Sequence, residues 1–348
     1  MPLRIAALLT CHNRREKTVE CLRALRAQVL PGWNPGQVES PSPRFDVAPD
    51  PSSTFSVPLC SADAPVASPT APSSFPDDDN ALPRGCSTFS SPSPPSAEGS
   101  DFSAFRFPLS AFSIEVFLVD DGCTDGTADA VREVWPEATI IRGDGNLFWC
   151  GGMRKAWAEA AKANPDYYLL LNDDTVVFPH AVSCLLEIVE SPAHYRIAVA
   201  AIAETHTGKI AYGGTRTWKS GPLEPNGEYQ NVETFNANCV LIPSCVFARI
   251  GMFFNQYTHG IGDTDYGMMA GRSGVKNIVS KNFLGTCFLN SPRGSWQDVT
   301  LSRRRRFELL NSPKGLPFRE WHAFCRRNLS LAWWRYAFSP YIKVIIGK

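Results

Sequence analysis

Nowhere does this sequence string together the ~20 apolar residues that cross a bilayer, so no spanning helix is expected. Neither sign of charge is in excess, with 34 Lys and Arg against 34 Asp and Glu. That balance removes any global pull toward nucleic acid. The one basic run, Arg303 to Arg306, reads first as a solvated face, with a contact to phosphate or an anionic membrane as the alternative. Eleven cysteines occur without a single C-x-x-C pair, a spacing wrong for a zinc ribbon or a thioredoxin motif. They are read as reduced thiols, and a cytoplasmic location is expected. The first residues, Met1-Pro2-Leu3-Arg4-Ile5, lack a signal peptide's long apolar region and small-residue cleavage site. No glycine follows the first apolar run closely, which excludes the Gly-x-Gly-x-x-Gly turn of dinucleotide-binding dehydrogenases.

What is present suits an α/β protein. The 348 residues could form one large domain or two smaller ones, and an apolar share of 44% is enough for a sizeable core. Residues 4–9, Arg-Ile-Ala-Ala-Leu-Leu, run without alternation, as a strand buried on both faces does. Asn13 has the character of an N-cap, with Glu16 completing a capping box, for a helix that carries Val19, Leu22 and Leu25 on one side. Sixteen of the 28 prolines then fall between Pro31 and Pro108, mixed with Ser, Ala and Asp. With no periodic apolar face to offset ordering entropy, about 33–111 is expected to be a disordered insertion.

A second strand, Ile114 to Val119, ends in Asp120-Asp121-Gly122, and a helix over Thr127 to Trp135 and a short strand at Thr139 to Ile141 follow. Gly151 to Ala163 reads as a helix with Met153, Trp157 and Ala160 inward, and the strand Tyr167 to Leu171 stops at Asn172-Asp173-Asp174. Pro179 suits the first residue of another helix, and Ile197 to Ile202 a fifth strand. This alternation predicts a mostly parallel central sheet with helices on both faces. Farther on, Asn238 to Ile242 reads as a strand, Ser244 to Ile250 as a helix closed by Gly251, and Asp263 to Arg272 as another helix. The last stretch, Trp333 to Ile346, is amphipathic, either a helix packed on the domain or a membrane-surface anchor.

Ligands of an open parallel sheet bind at the carboxyl ends of its strands. Here those ends carry Thr10-Cys11-His12-Asn13, Asp120-Asp121 and Asn172-Asp173-Asp174. Carboxylates are poor hosts for bare phosphate. They suit a site where a divalent cation, Mg²⁺ or Mn²⁺, lies between carboxylate and phosphate.

These segments are similar to the family 2 glycosyltransferases. The resemblance rests on Leu8-Leu9-Thr10-Cys11-His12-Asn13-Arg14, Val119-Asp120-Asp121-Gly122-Cys123-Thr124-Asp125-Gly126-Thr127, Gly145-Asn146-Leu147-Phe148-Trp149, Gly151-Gly152-Met153, Leu171-Asn172-Asp173-Asp174-Thr175 and Gly262-Asp263-Thr264-Asp265-Tyr266. It implies a GT-A fold over 1–290, interrupted by the insertion, with a helical and aromatic extension over 291–348. It further implies an inverting enzyme of the rhamnosyltransferase-like bacterial type, using a nucleoside-diphosphate sugar donor, a glycan or lipid-linked acceptor, a divalent metal ion (Mn or Mg) and no nucleic acid.

By the same resemblance, Thr10 contacts the nucleotide, with Asn13 close by. Asp121 meets the base beside Asp120. Asn172-Asp173-Asp174 stands for the DXD motif, with Asp173 toward ribose or sugar and Asp174 on the metal. Asp263 stands at the general base, and Gly262 replaces the Glu that often precedes it. From the residues themselves, Trp149 and Gly152 read either as shaping the sugar pocket or as a core Trp with a helix-start turn. His259 reads as a contact to diphosphate, metal or acceptor or as a structural or exposed His, and Asp265 as a second acid near the base or a helix-surface residue. No Gln-x-x-Arg-Trp pattern occurs at Arg303 to Arg306, which implies a single addition rather than polymerisation. Two rivals remain open: a sugar-phosphate nucleotidyltransferase, which would need a glycine-rich first loop, and a catalytically inactive nucleotide-sugar binder.

Overall fold

The computed structural model describes residues 2–28, 112–190, 195–289, 292–331 and 333–347. The Pro/Ser-rich stretch expected to be disordered lies outside the described residues.

The strands are β1 (Leu3–Cys11), β2 (Phe112–Asp120), β3 (Thr139–Arg142), β4 (Tyr167–Leu171), β5 (Val176–Val177), β6 (Arg196–Glu204), β7 (Ile210–Tyr212), β8 (Gly214–Thr215), β9 (Gln230–Val232), β10 (Thr234–Phe235), β11 (Cys239–Pro243) and β12 (Lys276–Cys287). Between and after them run α1 (Arg15–Arg26), α2 (Thr127–Val134), α3 (Phe148–Ala161), α4 (Ala181–Val189), α5 (Ser244–Ile250), α6 (Gly262–Arg272), α7 (Arg303–Leu310), α8 (Phe318–Asn328) and α9 (Trp333–Ile346). The main sheet has the order β3-β2-β1-β4-β11-β6-β12-β5. It is parallel from β3 through β4 and again between β6 and β12, while β11 runs antiparallel to both of its neighbours. The expected α/β domain, with a mostly parallel sheet, is what the chain forms.

Alternate residues of β1 face opposite layers. Ile5, Ala7 and Leu9 pack with Leu22 and Leu25 of α1, Val131 of α2 and Leu185 of α4. Ala6 and Leu8 pack with Met153 and Trp157 of α3, Val246 of α5 and Tyr266 of α6. The non-alternating apolar run at 4–9 therefore has the cause expected of it, helices on both faces. β1 and β2 pair from Leu3 with Phe112 to Cys11 with Asp120, so their carboxyl ends are level. β2 lies on one side of β1 and β4 on the other, which makes the gap between them the place where the topology switches.

Three local expectations differ from the structure. Asn13 does not cap α1, which has no side-chain cap. Instead the Arg15 N–H donates to Asp125 Oδ2 at 3.0 Å, from a loop far away in sequence. Pro179 lies outside α4, which starts at Ala181 after a left-handed His180 at φ 71°. In α1 Leu22 and Leu25 are buried as expected, but Thr18 and Cys21 join them in place of Val19.

Trp157 is fully buried and stacks on Phe247 with ring centroids 5.3 Å apart, with Tyr168, Phe253 and Tyr266 also around it. Replacing it with Ala removes the hub of this layer. Trp157→Ala is expected to lower unfolding free energy by about 3–5 kcal/mol, read by urea denaturation.

Candidate active site

The turn after β1 is built from its own polar residues. Asn13, at φ 51°, accepts from the Thr124 N–H at 2.7 Å through Oδ1, and His12 Nδ1 lies 2.6 Å from the Asp121 carbonyl. Asn13 thus joins the first strand-end loop to the second. Thr10 is buried at the end of β1, against α3. A Cβ placed on Gly152 would lie 2.2 Å from Thr10 Oγ1, so the glycine is what lets α3 approach β1.

Asp120 and Asp121 close β2. Asp120 Oδ1 accepts from the Cys123 N–H at 2.7 Å and so shapes the turn. Asp121 is buried, and both of its oxygens are used. Oδ1 accepts from the Gly145 N–H at 2.9 Å and the Leu147 N–H at 3.3 Å, and Oδ2 from the Phe148 N–H at 3.0 Å. Three backbone donors hold the charge in place and fix the loop that leads into α3.

At the end of β4, Asn172 Oδ1 accepts from the Trp149 indole N–H at 2.7 Å, and its own N–H donates to the Asn238 carbonyl at 2.9 Å. Trp149 therefore positions the acidic pair that follows. Arg14 bridges that pair, its Nη1 lying 3.1 Å from Asp173 Oδ1 and 2.8 Å from Asp174 Oδ2. Burial pushes the Asp173 carboxyl up to about 6, even against the opposing pull of the Arg14 charge. Its Oδ2 is buried without a hydrogen-bond partner. Asp174 Oδ1 accepts from the Cys287 thiol at 3.5 Å.

Asp263 stands in the first turn of α6, half-buried. The Ala237 N–H donates to Oδ2 at 3.1 Å and the Thr264 N–H to Oδ1 at 2.7 Å. Loss of solvent raises its carboxyl above the usual range, and these two donors pull the other way. The 237–238 segment is common ground, since Ala237 holds Asp263 and Asn238 holds Asn172. Gly262 leaves room for a neighbouring thiol. A Cβ there would meet the Cys150 Sγ at 2.3 Å.

His259 lies in the loop before α6, with Cys150 Sγ donating to its carbonyl at 3.2 Å. Burial, with the nearby Lys314 and Arg14 charges, pushes its imidazole down to about 4, so it is neutral at pH 7. Its Nδ1 is buried without a partner. Asp265 is buried and turned away toward α8. Arg327 Nη2 lies 3.1 Å from its Oδ2, and Asn328 donates to Oδ1. Its contacts tie the start of α6 to α8. Glu320 of α8 grips the same loop one residue before His259, accepting from the Thr258 N–H at 2.9 Å.

Sequence reasoning passed over Arg14, Cys150, Glu320 and Arg327. Arg14 was in plain view at the end of the first motif, next to residues that were weighed. The others had no local signal, because their partners are far away along the chain.

Residues 109–253 match the family model for glycosyl transferase family 2. The match takes in Asp120, Asp121 and the Asn172-Asp173-Asp174 segment, though less than half of the chain, and the α/β layout is the one expected of a GT-A domain. Among solved structures, the chain is similar to a mannosyltransferase from Pyrobaculum calidifontis in complex with GDP-Man and Mn2+. The TM-score is 0.48 at 11% identity, covering 99% of this chain and 70% of that one. It is also similar to TarS 1-349 of S. aureus in complex with UDP-GlcNAc, at TM-score 0.49 and 11% identity, covering 99% and 82%. Nothing about a donor carries over at such distance. No curated protein matches the chain.

Arg327→Met would leave Asp265 buried with its countercharge gone. We expect a loss of about 2–4 kcal/mol in thermal or urea unfolding, the lower end reflecting the partial exposure of Arg327.

Proposed function

We propose that the chain is an inverting glycosyltransferase that moves a hexosyl or deoxyhexosyl group from a nucleoside-diphosphate donor to an acceptor hydroxyl. The observation that carries the reading is the acidic pair Asp173-Asp174 at a strand end. It is tied through one short segment to the Asp263 carboxylate, within a stretch that in part matches the glycosyltransferase family 2 model.

The acceptor oxygen attacks the anomeric carbon as the bond to the diphosphate breaks, and Asp263 takes the hydroxyl proton. A carboxyl whose proton affinity is raised by burial is the better base, and the Ala237 and Thr264 N–H groups hold it in a single orientation. One displacement without a covalent intermediate inverts the anomeric centre.

The donor set fits a divalent cation. Asp173 and Asp174 offer hard carboxylate oxygens, one of them buried and unpartnered. Among the described residues no cluster of three or more His, Cys, Asp or Glu could hold a metal ion by itself. Donor phosphate and water oxygens would therefore complete the ligands, as is usual for Mg²⁺. Such an ion would supply Lewis-acid neutralisation of the departing diphosphate. Arg14 offsets part of the pair's charge, and Trp149 fixes the pair's approach through Asn172. Thr10, Asn13 and Asp121 border the nucleotide end, and neutral His259 faces the diphosphate. The acceptor belongs to cell-surface polysaccharide or glycolipid synthesis, with one addition per encounter, in the cytoplasm.

Asp263→Asn is expected to cut transfer by about 10²–10⁴-fold, with donor affinity by calorimetry within about twofold of the parent. Near-normal turnover in that variant rules Asp263 out as the base, and donor binding without turnover in the parent favours an inactive binder.

Metal-dependent donor binding needs an ionised Asp173. It should weaken as pH falls through about 6, by up to tenfold per unit. Arg14→Met removes the charge that lowers Asp173 and should move that inflection upward. The folded state binds the Asp173 proton more tightly than the unfolded chain, so this group's contribution to stability runs the other way and grows as pH falls from about 6. A titration of binding by pH with Mn²⁺ present, in both proteins, reads the inflection.

A further inference from the structure

One face of α9 is spoken for. Ala337, Pro340 and Val344 are buried, and Ala337 joins Trp321, Phe324 and Cys325 of α8 in a third apolar cluster that also takes in Cys150 and Tyr257. The opposite face is not. Trp334, Phe338, Ile342, Ile345 and Ile346 recur at intervals of four, four, three and one, which puts them on one stripe, and each is 46–61% exposed. Phe318 of α8, its ring 6.0 Å from that of Phe338, continues the stripe onto the next helix.

Charge gathers around this patch. Residues 291–348 carry twelve Lys or Arg against three Asp or Glu, so the balanced total of 34 and 34 leaves the rest of the chain with 22 against 31. Arg335 lies over the Trp334 ring at 5.5 Å, and Arg303 reaches the end of α9 near Gly347. Beside Phe318 an open groove of about 1070 Å³ is lined in part by Arg319, His322, Arg326 and Arg327.

We propose that α9 lies in the interface of an anionic lipid bilayer, with the Trp334–Ile346 stripe sunk among the acyl chains and the arginines on lipid phosphates. No helix among the described residues is long and apolar enough to cross a membrane, and α9 has 14 residues, so the contact is with one leaflet. A second copy of this chain is a poor occupant, since pairing across this face sets one basic rim against another. Acidic headgroups complement it. Aromatic residues beside basic ones match the chemistry of the headgroup boundary. The assignment is independent of the proposed sugar transfer, because it uses no residue of that site.

The test is co-sedimentation of the full chain with vesicles of phosphatidylcholine alone and of phosphatidylcholine with phosphatidylglycerol. Binding is expected to the anionic vesicles only and to weaken with salt. Phe338→Glu with Ile342→Glu should cut it at least about tenfold while leaving donor binding and the melting curve unchanged. Arg335→Glu with Lys343→Glu should reduce it with every apolar residue of the stripe retained. Absence of binding to anionic vesicles by the parent overturns the proposal. So does binding untouched by either double variant, or a dimer in sedimentation velocity that the Phe338→Glu, Ile342→Glu pair dissolves.

Discussion

Negative charge withdrawn from water governs this structure. The carboxylates of Asp120, Asp121, Asp173, Asp174, Asp263 and Asp265 stand at the strand ends and the start of α6, and polar groups taken from water there need partners. Each is answered differently. Asp121 takes three backbone N–H groups, Asp120 one turn amide, Asp263 two amides and Asp265 a guanidinium. Asp173 and Asp174 share Arg14, and the sharing is incomplete, with one oxygen left bare. The compensated carboxylates become architecture, fixing the turns and helix starts around them. The under-compensated pair is the part of the set that the proposed transfer gives to a cation, as it gives the proton to Asp263, so one kind of side chain serves both scaffold and proposed chemistry.

The strands and the acids at their ends were readable in the sequence because their signals are local. A run such as Ile-Ala-Ala-Leu-Leu declares double-sided burial by itself, and an Asp pair just after it marks the strand's end. What could not be read depends on contacts across the chain. Asn13 and Glu16 have the spacing of a capping box, yet the free amide of Arg15 is met by Asp125, and Asn13 is drawn to Thr124. Pro179 has the composition of a helix start, but a left-handed His180 intervenes. Asp265 follows Asp263 by two residues in a helix, so their side chains point apart, one into the site and one to Arg327. Arg14 was legible as a residue but not as a bridge, since its two partners lie some 160 positions away.

The C-terminal helices do more than cover the domain. α8 holds Thr258 through Glu320 and Asp265 through Arg327, so it grips the 258–265 segment on both sides of His259 and Asp263. Cys150, at the start of α3, sits in the same apolar cluster as Phe324 and donates to the His259 carbonyl. The segment with the proposed base is therefore held in part by side chains from residues beyond 300.

The contact between Cys150 and Gly262 also bears on substitution. The two positions lie more than a hundred residues apart, yet one thiol occupies the volume that a side chain at 262 would need. A side chain introduced at 262 would need the Cys150 thiol to turn away or be replaced by something smaller. A smaller residue at 150 alone would leave a void beside Tyr257 and the His259 carbonyl. Geometry thus couples the two positions, since what can stand at 262 depends on what stands at 150.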